Sequence, residues 1–275
     1  VKQDQDFEAL ARLLAEGRRL LVLTGAGCST PSGIPAYRDA RGTWMRRHPV
    51  TWQSFRADPI SRRRYWARSL IGWPVFSQAR PNPAHRALAH LEQAGRLVGL
   101  ITQNVDGLHQ AAGHRQIIDL HGRLDAVICI DCGTRSLRRH LQTRLIACNP
   151  EWIGLSAAHA PDGDADLEDV DFTRFRVPDC LRCGGTLKPD VVLFGESVPP
   201  GRVNQANQWL EQSDGLLLVG TSLTVFSGFR YARRAAELGL PIAAINQGFT
   251  RADSLLAFKL DGCCAEVLPA IAGMV

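Results

Sequence analysis

The sequence predicts an α/β protein built on a doubly wound parallel sheet, with two inserted stretches that make a smaller lobe. Three observations carry this expectation. Short apolar runs without polar alternation recur along the chain, the pattern of strands buried on both faces. Amphipathic helical patterns separate several of them, which argues for right-handed strand–helix–strand crossovers. Residues 41–80, which carry no strand signal, and residues 126–187 break that rhythm and read as insertions between sheet elements.

Phe7, Leu10, Ala11 and Leu14 recur at helical spacing, so residues 5–16 read as an amphipathic helix that Gly17 ends. The run Leu20-Leu21-Val22-Leu23-Thr24 then stops at Gly25-Ala26-Gly27 and reads as a buried strand. Further strands are expected over residues 97–101, 117–120, 215–219 and 241–245, and helices over residues 83–94 and 226–238. Residues 41–80 are rich in Trp and Arg and read as helical. Residues 126–187 hold two cysteine pairs and the acidic run Asp162-Gly163-Asp164-Ala165-Asp166. That run lacks the spacing and terminal Glu of a calcium loop and reads as a solvated loop. The expected division is a large domain from residues 1–40, 81–125 and 188–275, a helical module over 41–80 and a zinc-binding module over 126–187.

Composition excludes several classes. At 275 residues, 45% apolar and 21% charged, the chain reads as a soluble globular protein and not a disordered one. No apolar run approaches the roughly 18 residues needed to span a bilayer, so no membrane partner is expected. The net charge of +5 is mild, and much of the excess sits between Arg46 and Arg68. Direct nucleic-acid binding, which goes with stronger bias, is not expected. Such a surface still favours acidic or phosphate-bearing ligands. The N-terminus, Val1-Lys2-Gln3-Asp4-Gln5-Asp6, resembles neither a signal nor a transit peptide. The expected location is the cytoplasm, unless a mitochondrial leader has been lost.

The glycine turn Gly25-x-Gly27 directly follows a strand, where glycines bring backbone N–H groups against a pyrophosphate. A tight turn with no ligand has the same signature. The next segment, Ser32-Gly33-Ile34-Pro35-Ala36-Tyr37-Arg38, cannot be a plain helix, because Gly33 and Pro35 break it. No second strand ending in an acidic residue follows, as an ordinary dinucleotide unit would require. A hydride-transferring dehydrogenase is thereby disfavoured, although a loop with an aromatic and an arginine could still close over NAD.

Thr102-Gln103-Asn104-Val105-Asp106-Gly107-Leu108-His109 follows the strand over 97–101, and ligands of open α/β sheets bind at strand carboxyl ends. Gln103, Asn104 and Asp106 offer amide donors, acceptors and one charge, suited to a ribose and a carboxamide; an Asx turn is the plain alternative. His121 also stands at a strand's carboxyl end, where it can act as general base near neutral pH.

The eight cysteines include two C-x-x-C pairs, Cys129 with Cys132 and Cys180 with Cys183. Four thiolates in two such knuckles make a closed, tetrahedral, structural zinc site. Three later segments complete the set: Lys188-Pro189-Asp190-Val191-Val192-Leu193-Phe194-Gly195-Glu196, Gly220-Thr221-Ser222-Leu223 and Asn246-Gln247-Gly248. The last two follow strands and could bind phosphate or ribose, although caps and turns explain them equally well singly.

Together these segments resemble the sirtuin family of NAD-dependent protein-lysine deacylases. The resemblance rests on Gly25-Ala26-Gly27-Cys28-Ser29, Gly33 to Arg38, Thr102 to Asp106, His121-Gly122, the cysteine pairs, Pro189 to Glu196, Gly220 to Leu223, and Asn246, in the family's order. The long span between the cysteine pairs, with Asn149-Pro150-x-Trp152 and Ala160-Pro161-Asp162-Gly163-Asp164, resembles class II. That is the subgroup of mitochondrial sirtuin 4 and its bacterial relatives. Tyr65-Trp66-Ala67-Arg68 and Gly72-Trp73-Pro74 fit it too.

The resemblance implies a Rossmann-like large domain, a small lobe of a four-cysteine zinc module and a helical module, NAD as cofactor and one structural zinc. It implies acyl-lysine proteins or peptides as substrates, and acyl transfer to ADP-ribose with release of nicotinamide. Within it, His121 is the base, Asn104 and Asp106 hold ribose and carboxamide, and Gln103 holds the ribose. Ala26, Tyr37 and Arg38 belong to the cofactor loop, and Gly220, Ser222, Asn246 and Cys264 line the adenosine half. Val191 to Phe194 would clasp substrate by strand addition. A Tyr-x-x-Arg pair such as Tyr65 and Arg68 would hold an acidic acyl group, or be a helix-surface pair. Ala36, Cys28 and Pro31 depart from the family's usual residues. A protein ADP-ribosyltransferase, or an NAD- and zinc-binding module without turnover, are the alternatives.

Overall fold

The computed structural model describes residues 2–37, 39, 43, 45, 49–155, 163, 165, 167 and 170–274. Arg38 and the acidic run's Asp162, Asp164 and Asp166 lie outside the described residues.

The chain opens on α1 (Lys2–Ala15), which buries Leu10 and Leu14. All five residues of β1 (Leu20–Thr24) are buried, and a 3-10 turn, Ala26–Cys28, follows. The inserted helices are α2 (Trp52–Ala57), capped by Thr51, and α3 (Pro59–Phe76), capped by the Asp58 carboxylate. The Asn82 side chain caps α4 (Pro83–Gln93). Next come β2 (Leu97–Thr102), α5 (Leu108–Ala111), β3 (Ile117–Asp119), β4 (Gly122–Cys129), β5 (Arg135–Leu137) and α6 (Arg138–Cys148). The chain continues through β6 (Leu187–Val191), α7 (Pro200–Glu211), β7 (Gly215–Val219), α8 (Phe226–Glu237), β8 (Ile242–Ile245), β9 (Phe258–Leu260) and α9 (Cys264–Ala272).

Six strands form one parallel sheet in the order β3-β2-β1-β7-β8-β9. Alternate residues of β1 face opposite cores. Leu20 and Val22 pack with α1, α4 and α9, whereas Leu21 and Leu23 pack with α7 and α8. Burial on both faces explains the uninterrupted apolar runs. The chain winds outward from β1 through β2 to β3, then returns to place β7 on β1's other side. The carboxyl ends of β1 and β7 therefore flank the point where strand order reverses, the ligand crevice of such sheets.

The second sheet is antiparallel, in the order β5-β4-β6. It shares a core with α3 and α6, built around Phe55, Trp66, Leu141 and Trp152. Arg138 of α6 is buried with its guanidinium 5.4 Å from the Trp66 ring and 5.1 Å from the Trp73 ring. It donates to the Ser69 carbonyl at 3.2 Å and the Ser69 hydroxyl at 3.1 Å. Burial draws its pKa down to about 10.

Two features differ from expectation. The parallel sheet has a sixth strand, β9, too short and too half-exposed to leave a strand pattern. The run over 188–196 enters the small sheet as β6, so β4 and β6 cross the expected divisions after residues 125 and 187. Among the described residues no helix is long and apolar enough to cross a membrane.

Candidate active site

The turns after β1 and β7 lock together through backbone. Gly27 N–H donates to the Gly220 carbonyl at 2.8 Å and Gly25 N–H to that of Val219 at 3.1 Å. Gly220 has φ +57°, and a Cβ there would overlap the Cys28 nitrogen. Only glycine permits both the conformation and the contact.

Behind these turns stands a polar network. The Asn104 amide donates to the Gly25 carbonyl at 2.9 Å and to Ser29 Oγ at 3.0 Å. Ser29 in turn donates to Asp106 Oδ2 at 2.7 Å. Burial pushes the Asp106 carboxyl above its usual range, while the hydrogen bonds from Leu108 N–H and Ser29 oppose it. The Gln103 amide donates to Thr221 Oγ1 at 2.8 Å, tying the β2 loop to the β7 loop.

His121 follows β3. Its Nδ1 lies 2.9 Å from the Gln103 carbonyl, which can only accept, so Nδ1 carries the proton of the neutral ring. Its Nε2 is then the lone pair, 2.8 Å from Ser227 Oγ. Burial lowers the His121 pKa, the Gln103 carbonyl opposes this, and the Arg202 charge adds to the lowering. The ring is thus a neutral base at pH 7. Gly122 keeps it in place: φ is +83°, a Cβ would overlap the Asp190 carbonyl oxygen, and Val192 N–H donates to the His121 carbonyl at 2.7 Å.

These groups line one cavity of about 770 Å³, within the range of small-molecule and cofactor sites. From the expected cofactor set it gathers Gly25, Ala26, Gly27, Tyr37, Gln103, Asn104, Asp106, Gly220, Thr221, Ser222, Asn246, Gln247 and Cys264, together with His121. Gly248 does not line it; its carbonyl instead accepts from the Asn246 amide at 3.2 Å. Cys264 Sγ donates to the Gly27 carbonyl at 3.3 Å.

Val191, Val192, Phe194, Gly195 and Glu196 line the same cavity. Phe194 bridges to Thr51, and its carbonyl accepts from Trp52 N–H at 2.8 Å. Glu196 Oε2 accepts from Leu193 N–H and pairs with buried Lys188, both at 2.9 Å, so this carboxylate shapes the turn. Tyr65, Phe76, Val105, Leu124, Val191 and Leu193 give an apolar stretch of wall that belongs to the small-lobe core. Arg68, one turn beyond Tyr65, is buried but is not among the lining residues.

The sulfurs of Cys129, Cys132, Cys180 and Cys183 all lie within 4.8 Å of one another. Cys129 Sγ is 3.6 Å from Cys183 Sγ, and Cys132 Sγ is 3.8 Å from Cys180 Sγ. A zinc tetrahedron with bonds of about 2.3 Å separates its sulfurs by about 3.8 Å. The two knuckles close alike: Gly133 N–H donates to the Cys129 carbonyl at 2.9 Å and Gly184 N–H to that of Cys180 at 2.8 Å. The donor set fits one structural zinc.

Sequence reasoning missed Ser29 and Ser227 as site residues. Ser29 stands inside the Gly25–Ser29 motif, but its bond to Asp106 spans 77 positions. Ser227 is 106 positions from His121 and has no sequence signal of its own.

A parallel sheet bearing this cavity at its switch point, beside a four-cysteine module, defines the class that the motifs resemble, and known proteins agree. Residues 25–227 match the Sir2 family. The chain belongs to the Sir2 family. It is 57% identical over 261 residues to NAD-dependent protein deacetylase 2 of Bradyrhizobium diazoefficiens, covering 95% of this chain and 96% of that relative. A solved Sir2 complex with a p53 peptide and NAD+ superposes with a TM-score of 0.77 at 27% identity, covering 96% of each chain. A Sir2 homologue bound to NAD superposes at 0.74 with 32% identity, covering 97% of this chain and 92% of the other.

Proposed function

We propose that this protein is an NAD-dependent protein-lysine deacylase that passes the acyl group to ADP-ribose and releases nicotinamide. The observation that carries this is His121. Its proton is held on Nδ1 by the Gln103 carbonyl, and its basic Nε2 stands at the wall of a cavity lined by the cofactor motifs. When bound, NAD supplies the ADP-ribosyl group that accepts the acyl group. His121 Nε2 takes a proton from a ribose hydroxyl. Asn104, Asp106 and Gln103 hold ribose and carboxamide, while Gly220, Ser222, Asn246 and Cys264 line the adenosine half. Val191 to Phe194 pair with the peptide backbone by strand addition.

The acyl chain is a neutral one, acetyl or longer. Support comes from the apolar wall around Tyr65, which Arg68 does not line. Among the described residues no cation lies on that stretch of wall, so an acidic acyl group would lose water there uncompensated, which is costly.

The class II assignment is ours as well. It rests on the long span between the cysteine pairs and its Asn149-Pro150-x-Trp152 segment, in which Asn149 is a fully buried tie. Its amide donates to the Leu145 carbonyl at 2.9 Å and the Arg176 carbonyl at 2.8 Å, and its Oδ1 accepts from Arg176 N–H at 2.7 Å. Trp152 stacks on Phe172 beside it.

Mass spectrometry of acetyl-, succinyl-, glutaryl-, lipoyl- and long-chain acyl-lysine peptides, with and without NAD, tests the reading. NAD-dependent loss of a neutral acyl group, with O-acyl-ADP-ribose formed, is expected. ADP-ribosylated protein without deacylation would replace it with the transferase reading.

A further inference from the structure

Cys28, His85 and His109 meet inside the protein, outside the cavity and far in sequence from the four zinc-site cysteines. One ligand atom from each lies within 4.8 Å of the other two. All three are buried, at 0%, 0% and 1% exposure.

The hydrogen bonds around the two imidazoles leave one nitrogen of each unused. Thr24 Oγ1 donates to Thr102 Oγ1 at 2.9 Å, so it accepts from His109 Nε2–H at 3.0 Å. His109 Nδ1 is then a bare lone pair, buried and without a hydrogen-bond partner. His85 Nδ1 accepts the Asn82 N–H at 3.3 Å, and His85 Nε2 is likewise buried without a partner. Buried polar atoms are ordinarily paired, because an unpaired one loses its hydration without replacement. Two imidazoles that each keep an unpartnered buried nitrogen, in one cluster with a buried thiol, are more than apolar packing requires.

We propose that Cys28, His85 and His109 form a second metal site, for a zinc-class divalent ion. One thiolate with two imidazoles is a soft-to-borderline donor set that suits zinc or cobalt and not magnesium or calcium. Binding sends the Cys28 thiol proton to solvent and shifts the His85 proton from Nε2 to Nδ1; Nδ1 then no longer accepts from the Asn82 N–H, so the ring must turn or shift away from that amide as the ion enters. The Thr24 hydroxyl is the outer partner that orients His109. Cys28 ends the Ala26–Cys28 turn, so an ion here pins the turn that lines the cofactor cavity.

Cobalt(II) titration of the whole protein, after a mild chelator has removed loosely held ions, tests this. Metal content by mass spectrometry should show the structural zinc retained and one equivalent of cobalt added. Cobalt-edge X-ray absorption should read sulfur and imidazole together around that cobalt. Cys28→Val and His109→Gln should each lose the added equivalent while keeping the zinc and a native circular dichroism spectrum. Cys148→Ala, at an exposed cysteine, should keep it. Wild-type protein that takes up no added cobalt overturns the site, as does cobalt with oxygen-only surroundings. Uptake unchanged in a folded Cys28→Val protein does so too. If both ligand variants fail to fold, the absorption spectrum of the wild type decides alone.

Discussion

Ser227 Oγ stands 2.8 Å from His121 Nε2, and because the opposite ring nitrogen donates to the Gln103 carbonyl, the serine is the donor. Its hydrogen occupies the lone pair that a ribose hydroxyl would use. A donor to that lone pair stabilises the neutral ring and holds its pKa down. Ser227→Ala should therefore move the acid limb of the kcat/KM–pH profile upward by roughly half to one pH unit, from a net hydrogen bond of about 0.5–1.5 kcal/mol. The wild-type limb should lie below about 6.5, since burial lowers the His121 pKa. As pH falls through that pKa the base is protonated and activity is lost. An unmoved limb in the variant would remove the positioning role.

His121→Ala should abolish acyl-lysine turnover and leave NAD binding largely intact. General-base removal is typically worth about 10²–10⁴-fold, and the cofactor contacts lie on other loops. Calorimetry with NAD, beside a deacylation assay, separates the two effects. A variant that keeps more than about a tenth of the rate would show that another group takes the proton.

Cys129→Ser should lose zinc and the fold of the small sheet together. Cys129 ends β4 and its N–H donates to the Thr134 carbonyl at 2.9 Å, so ligand and strand register are one feature. Structural zinc contributes directly to folding free energy. Zinc-free protein that melts like wild type would contradict the structural role.

Arg68→Met should change kcat/KM for acetyl and succinyl peptides alike, by less than about threefold, because Arg68 does not line the cavity. A guanidinium that paired with an acidic acyl group would show otherwise. Its removal would cost the succinyl peptide about 1.5–3 kcal/mol, a charged hydrogen bond's range, or roughly tenfold to a hundredfold. A loss of that size confined to acidic acyl peptides would overturn the neutral-acyl reading.

The sequence by itself determined the parallel sheet's buried strands, because a strand covered on both faces must be apolar at every position, and Leu20 to Thr24 announces that without any partner. It determined the zinc knuckles as well, since two C-x-x-C pairs carry their own geometry. It also put His121, Gln103 and Gly220 at strand ends, where an α/β sheet concentrates its ligand contacts. Tertiary structure alone decided what depends on distant partners. Phe258–Leu260 becomes a strand only because β8 offers a parallel edge. Leu187–Val191 joins the small sheet only because β4 runs antiparallel beside it. Tyr65 and Arg68 share one helical turn of α3, and both are buried in the small lobe, Tyr65 within reach of the cavity. Ser227 meets His121 across 106 positions, and Cys28 meets His85 and His109 from three separate segments. Periodicity and motif spacing report only on neighbours along the chain, so contacts closed by the fold leave no mark in them.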